Sequence, residues 1–106
     1  MAELPVRSGP AAIGTAAATQ YTAPATAGGY AILRTVHISN TSTLGINVRV
    51  SIGALAAGTA IYYDLPIPPN GTLDWSGFMP LAASEIIQTQ ASATGLAISL
   101  GIVTGP

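Results

Sequence analysis

The sequence predicts an all-β domain: a single antiparallel β-sandwich, jelly-roll or immunoglobulin-like, of about six to eight strands. Three observations carry this. Apolar and polar residues alternate over short stretches, the period of a strand with one buried face. Gly, Pro and Asn interrupt these stretches at short intervals, as in sandwiches and small barrels. No segment sustains a helical period. The one helix candidate, "PLAASEII", is short, and its paired isoleucines favour a strand.

At 106 residues the chain is one domain. Residues 1–17, rich in Pro, Gly, Ala and Thr, carry neither period and are expected to form an extended N-terminal arm. The sandwich then spans 18–106. "TQYTAP" is a short strand stopped by Pro24, and "TAGG" is a turn. "YAILRTVHISN" is a long strand with Tyr30, Ile32, Val36 and Ile38 on one face, shared by Arg34. "LGINVRVSIG" alternates most cleanly, with Leu44, Ile46, Val48, Val50 and Ile52 inward and Asn47, Arg49 and Ser51 outward.

"AIYYDLPI" groups Ile61, Tyr63, Leu65 and Ile67 and turns Tyr62 outward. Pro66 cannot donate to a ladder, so this strand lies at an edge or carries a bulge. "IPPNGTLDW" reads as a hairpin. Its turn is type I over Pro68–Gly71, or type I′ centred on Asn70-Gly71, and its flanking strands become neighbours. Trp75 follows Leu73 on one face and is the largest expected core anchor. "EIIQTQAS" is a further strand. "GLAISLGIV" points Leu96, Ile98, Leu100 and Ile102 inward and Ala97, Ser99 and Gly101 outward. The expected core anchors are Trp75, Ile46, Val48, Val50, Ile98 and Leu100.

Only 7% of residues are charged, and the cations are Arg7, Arg34 and Arg49, with no lysine. Three scattered arginines make no phosphate-binding cluster, so nucleic acid is not an expected partner. Without cysteine there is no disulfide, thiolate metal site or thiol nucleophile. The N-terminus lacks the unbroken apolar run of a signal peptide, and apolar runs are too short for a membrane helix. The expectation is a soluble protein made in the cytoplasm. A near-neutral surface suits a chain covered by other protein better than one dispersed by charge.

Chemistry-bearing residues are few. His37 is the lone histidine; a Ser39–His37–Asp64 or Asp74 constellation can be drawn, but no nucleophile elbow accompanies it. Asp64 and Asp74 could pair across the hairpin as acid and base or hold a cation, yet both point away from the apolar face and read as solubilising. Arg34, among apolar neighbours, needs an acidic partner such as Glu85 or Asp64, or a position at a rim facing another subunit. No enzyme, cofactor or metal is expected. The small outward face of Ala97, Ser99 and Gly101 lets another surface approach closely. With Arg34, His37 and Arg49 it forms the expected interface.

Three stretches resemble small virion proteins of tailed bacteriophages. They are "YTAPATAGGYAILRTVHISNTS" (21–42), "AIYYDLPIPPNGTLDW" (60–75) and "EIIQTQASATG" (85–95). The matching residues are Pro24, Arg34, His37, Asn40, Asp64, Pro68, Asn70, Thr72, Gln90, Ala91 and Ser92. Ala83-Ser84 replaces the acidic-Gly turn usual before the last of these stretches. The resemblance implies a non-enzymatic, self-associating β-sandwich of the virion. The expected role is capsid decoration by a homotrimer or other symmetric oligomer bound to the major capsid protein or another virion protein. A tail, baseplate or fibre component of the same fold is the alternative. A carbohydrate-binding attachment module, using Tyr62, is the third.

Overall fold

The computed structural model describes residues 4–25 and 30–105, which form an all-β domain of two four-stranded antiparallel sheets. The strands are β1 Leu4–Ile13, β2 Ala18–Thr22, β3 Tyr30–Asn40, β4 Ile46–Ile52, β5 Ala60–Ile67, β6 Thr72–Leu81, β7 Ile86–Ala91 and β8 Leu96–Gly105. One turn of 3-10 helix, Ala57–Thr59, precedes β5. Sheet I has the order β1-β8-β3-β6 and sheet II the order β2-β7-β4-β5. β1 pairs with β8, β2 with β7, β3 with β6 and β4 with β5, all antiparallel. The first half of the chain thus runs back along the second as one ribbon, whose successive pairs fall in alternate sheets.

The core lies between the sheets. Leu33, Val36, Ile38, Leu96, Ile98, Leu100 and Ile102 come from sheet I, and Ile46, Val48, Val50, Ile67 and Ile87 from sheet II. Full burial of each contributes about 1.5–3 kcal/mol. The alternations of β4 from Ile46 to Val50 and of β8 place their residues as expected, but Leu44 precedes β4 in a loop and is 70% exposed. At the end of β4 a register shift buries Ser51, expected outward, with its hydroxyl donating to the Gly53 carbonyl, and leaves Ile52 half-buried. Thr89, polar and fully buried, accepts from Gln20 Nε2 at 2.9 Å.

Several expectations are corrected. Most of the segment expected to be an arm, 1–17, is β1, the edge strand of sheet I, because its backbone pairs along β8 from Leu4↔Thr104 to Ile13↔Leu96. Its lack of alternation reflects an extra residue between Ser8 and Ala11 that shifts the register. In β3 the buried positions are Ala31, Leu33, Val36, Ile38 and Asn40. The single-residue slip falls between Leu33 and Thr35, so Arg34 is exposed at a bulge and shares no face with a core residue. In β5 a slip between Leu65 and Tyr62 turns Tyr62 against the core and leaves Tyr63 45% exposed, reversing the expected pair.

The stretch read as a hairpin is a crossover: β5 pairs with β4 in sheet II, and β6 pairs with β3 in sheet I. The turn does span Pro68–Gly71, where the Gly71 N–H donates to the Pro68 carbonyl at 2.9 Å. Asn70 at its third position has φ 57°, so it is of type II, the form that combines proline at the second position with a left-handed third. Trp75 is only partly buried at the sandwich rim, its ring lying over Gly77, where a Cβ would come within 2.8 Å of the indole. The helix candidate is the end of β6, a turn in which the Ala82 N–H donates to Glu85 Oε1, and the start of β7. The "TAGG" turn lies outside the described residues.

One buried polar side chain joins the connections at one end of the sandwich. Asn40, 2% exposed, donates to the carbonyls of Leu44 at 2.8 Å and Ile67 at 3.0 Å. Its Oδ1 accepts from the Ser42 N–H and hydroxyl, and its own N–H donates to the Gly71 carbonyl. Asn40 therefore fixes both the loop into β4 and the β5–β6 crossover.

All four edge strands are irregular. β1, β2 and β6 each carry an extra residue relative to the strand they pair with, and β5 carries one at each of two shifts. Pro66 lies in β5, Pro80 in β6, and Pro5 and Pro10 in β1. The sequence has few charges to blunt an open edge, and bulges and prolines take their place. Such irregular edges disfavour the addition of a further strand.

Candidate functional site

Two surfaces concentrate the remaining chemistry. The first is the outer face of sheet I. Pairing aligns Ser99 of β8, His37 of β3 and Asp74 of β6 in one row, with Gly101, Thr35 and Ser76 beside them on one side and Ala97, Ser39 and Thr72 on the other. His37 Nδ1 bonds Asp74 Oδ1, and Thr72 Oγ1 donates to Asp74 Oδ2 at 3.3 Å. Arg34 stands at the β3 bulge, and Phe78 projects from β6, 65% exposed. The strict alternation around Leu73 and Trp75 was the available signal that Phe78 faces outward.

The row has the residue types of a hydrolytic triad but not its contacts. Asp74 orients the imidazole, yet Ser99 Oγ makes no hydrogen bond to His37 among the described residues. Ser39, the serine considered from sequence, lies in a different cross-strand row. What this face offers is a flat, weakly charged surface. Thr35 leans over Gly101, so that a Cβ there would collide with Thr35 Oγ1. The smallness of Gly101 thus serves a neighbour within the sheet, and Ala97 and Ser99 are the small positions left open. At the Ala97 end the face continues into a shallow recess lined by Pro10, Ala11, Ala12, Thr41 and Leu96. β1 supplies much of this recess.

The second surface is the outer face of sheet II. Arg49 of β4 forms a bidentate pair with Asp64 of β5, Nε–Oδ1 2.6 Å and Nη2–Oδ2 3.0 Å. Its guanidinium carbon lies 4.2 Å from the centre of the Tyr63 ring. Asp64 has φ 56°, a left-handed conformation that a short polar side chain tolerates. An open groove of about 250 Å³ beside the pair is lined by Thr15, Asn47, Gln90 and Ser92.

Of the residues singled out from sequence, Arg34, His37, Ala97, Ser99 and Gly101 thus share the outer face of sheet I, and Arg49 is on the opposite sheet. Asp64 and Asp74 are also in different sheets and form no carboxylate pair. Among the described residues no group of three or more His, Asp or Glu could hold a metal ion. Tyr63 and Phe78 were missed as surface features. The β5 bulge that exposes Tyr63 leaves no mark in the local alternation.

Both carboxyls sit below the ordinary value of 3.8, Asp64 through its hydrogen bonds from Arg49 and Asp74 through that from His37. A folded-state pKa below the unfolded value gives stability that is full above the ordinary value and is lost as pH falls through the folded one. The thermal midpoint should therefore fall as the medium is acidified below about pH 3.8. The double variant Asp64→Asn, Asp74→Asn should lose less of its midpoint over the same range. Parallel curves for wild type and variant would assign the acid sensitivity elsewhere.

No protein-family model matches the chain, and no curated protein matches it in sequence.

Proposed function

We propose that this chain is a jelly-roll structural protein of a bacteriophage virion that decorates the assembled capsid and stabilises it as a symmetric homo-oligomer. Support for the finer fold comes from the strand orders, β1-β8-β3-β6 over β2-β7-β4-β5. Rolling one antiparallel ribbon of eight strands produces these orders, and jelly rolls recur in viral capsid proteins. Support for the virion comes from the resemblance of residues 21–42, 60–75 and 85–95 to small phage virion proteins.

The observation that carries the role is the outer face of sheet I, where five expected interface residues converge on a weakly charged surface that Phe78 and the Ala97 recess extend. Small side chains let a second surface approach, and an exposed aromatic supplies apolar area to bury. The mechanism is thermodynamic. A protein that binds only the assembled shell stabilises it by its binding free energy, about 2.7 kcal/mol at a free concentration a hundred times Kd. No chemical step and no cofactor is involved.

Light scattering on the purified chain tests the self-association. The wild type should be a closed oligomer. Ser99→Arg and Ala97→Arg, which place a charge on the open part of the face, should shift it to monomer with an unchanged circular dichroism spectrum. A wild-type monomer at every concentration would sink the oligomer. Antibody labelling of virions tests the location: label on heads agrees with decoration, and label on tails replaces it with the tail or baseplate reading.

A further inference from the structure

We propose that the groove on the outer face of sheet II binds a neutral polyhydroxyl ligand, a sugar, between the Arg49–Asp64 pair and the side chains of Asn47, Gln90 and Ser92. This rests on sheet II alone and stands apart from the capsid reading.

The first argument is the backbone. Consecutive residues of a regular strand face opposite sides of a sheet. Tyr63 and Asp64 are consecutive, yet both meet Arg49, one through its ring face and the other through both carboxylate oxygens. The bulge in β5 between Leu65 and Tyr62 makes this possible, with Asp64 left-handed at φ 56°. A bulge of this kind re-aims side chains. Here it builds an aromatic, a cation and an anion into one fixed unit at the wall of a groove.

The second argument is the inventory of donors and acceptors. The charges of Arg49 and Asp64 cancel. An anion would find the Nε–Nη2 edge of the guanidinium already engaged, and a cation would find both carboxylate oxygens accepting. What remains is neutral and two-sided. Asn47, exposed, has no side-chain hydrogen bond among the described residues. Gln90 donates from Nε2 to the Thr15 carbonyl at 2.9 Å, which fixes the amide and leaves its Oε1 to accept. Ser92 Oγ accepts the Asn47 backbone N–H at 3.0 Å and keeps its own proton to donate. Asp64 oxygens and the far Arg49 N–H groups add an acceptor and a donor side by side. Adjacent hydroxyls on a sugar ring each donate and accept at fixed spacing. A neutral groove with interleaved donors and acceptors matches that chemistry.

The test is amide shift mapping of the full chain with methyl glucoside, galactoside, mannoside and N-acetylglucosamine at millimolar concentration, together with an array of bacterial surface oligosaccharides. The expected result is shifts confined to Thr15, Asn47, Arg49, Asp64, Gln90 and Ser92 with at least one of these sugars. A Kd of about 1 mM suits a site this shallow. Asn47→Ala removes an exposed side chain, and Asp64→Asn keeps a residue that tolerates the left-handed backbone. Each should weaken binding about tenfold, the loss of roughly one charged or bidentate hydrogen bond. Ser99→Arg should leave it unchanged. No shift with any of the sugars and no array signal would overturn the assignment. So would shifts on sheet I, or affinity unaltered in both groove variants. None of these outcomes bears on the oligomer mass, so the site and the capsid reading fail separately.

Discussion

Replacing Asn40 by leucine should lower the unfolding free energy by about 3–5 kcal/mol, although leucine is nearly the same size and more apolar. The Asn40 amide donates to the Leu44 and Ile67 carbonyls and accepts from Ser42, and the site is almost fully buried. Leucine leaves the Ile67 carbonyl and the Ser42 N–H without these partners, each costing about 1–3 kcal/mol when water cannot reach it. A domain of this size has about 5–15 kcal/mol in total, so the loss is a large fraction of it. Asn40→Asp should be comparably damaging. It keeps an acceptor for Ser42 but removes both donors and buries a charge among carbonyl oxygens. Urea denaturation reads the result as a lower midpoint with an unchanged slope. A loss below about 1 kcal/mol in both variants would mean that the two connections relax and find water, and that Asn40 does not hold the corner.

Truncating Leu100 should cost more than truncating Trp75, the reverse of what side-chain size suggests. Leu100 is fully buried in central strand β8, with sheet neighbours on both sides. Leu100→Ala leaves a cavity that the bracing strands cannot close, and about 3–4 kcal/mol is expected. Trp75 is on edge strand β6 and only partly buried, its ring against its own neighbour Gly77. Water enters the space left by Trp75→Ala, so the cavity penalty is largely absent and about 1–2 kcal/mol is expected. Thermal and urea unfolding of the two variants in parallel decide the order. If Trp75→Ala is the more damaging, the rim of the sandwich holds more of the stability than its centre.

The pair of predictions marks where sequence was informative. In β8 the alternation of Leu96, Ile98, Leu100 and Ile102 is unbroken, and the strand is as the pattern says. β4 is equally legible from Ile46 to Val50. In β3 and β5 one extra residue reverses the faces. Arg34 leaves the core side, Tyr62 enters it and Tyr63 leaves it. Inserting a residue costs little locally. Its position is set by the curvature that strands of unequal length must share with their neighbours, and no short stretch of sequence contains that information. The Arg49–Asp64 ion pair and the His37–Asp74 hydrogen bond were hidden for a similar reason. Arg49, Asp64, His37 and Asp74 were visible as residue types, but their pairing is a matter of which strands lie together.

By itself, then, the sequence determined that this chain is all-β, where most of its strands run, and which residues of β4 and β8 fill the core. Local periodicity and turn residues encode those properties directly. Only the tertiary structure decided that residues 4–13 are an edge strand, that "IPPNGTLDW" crosses between sheets, and that Arg34 and Arg49 lie on opposite faces. Strand partnership depends on hydrogen bonds between residues far apart in the chain. A proline- and asparagine-rich turn can return its chain to the same sheet or send it to the other, and here β3, β4 and Asn40 make that choice.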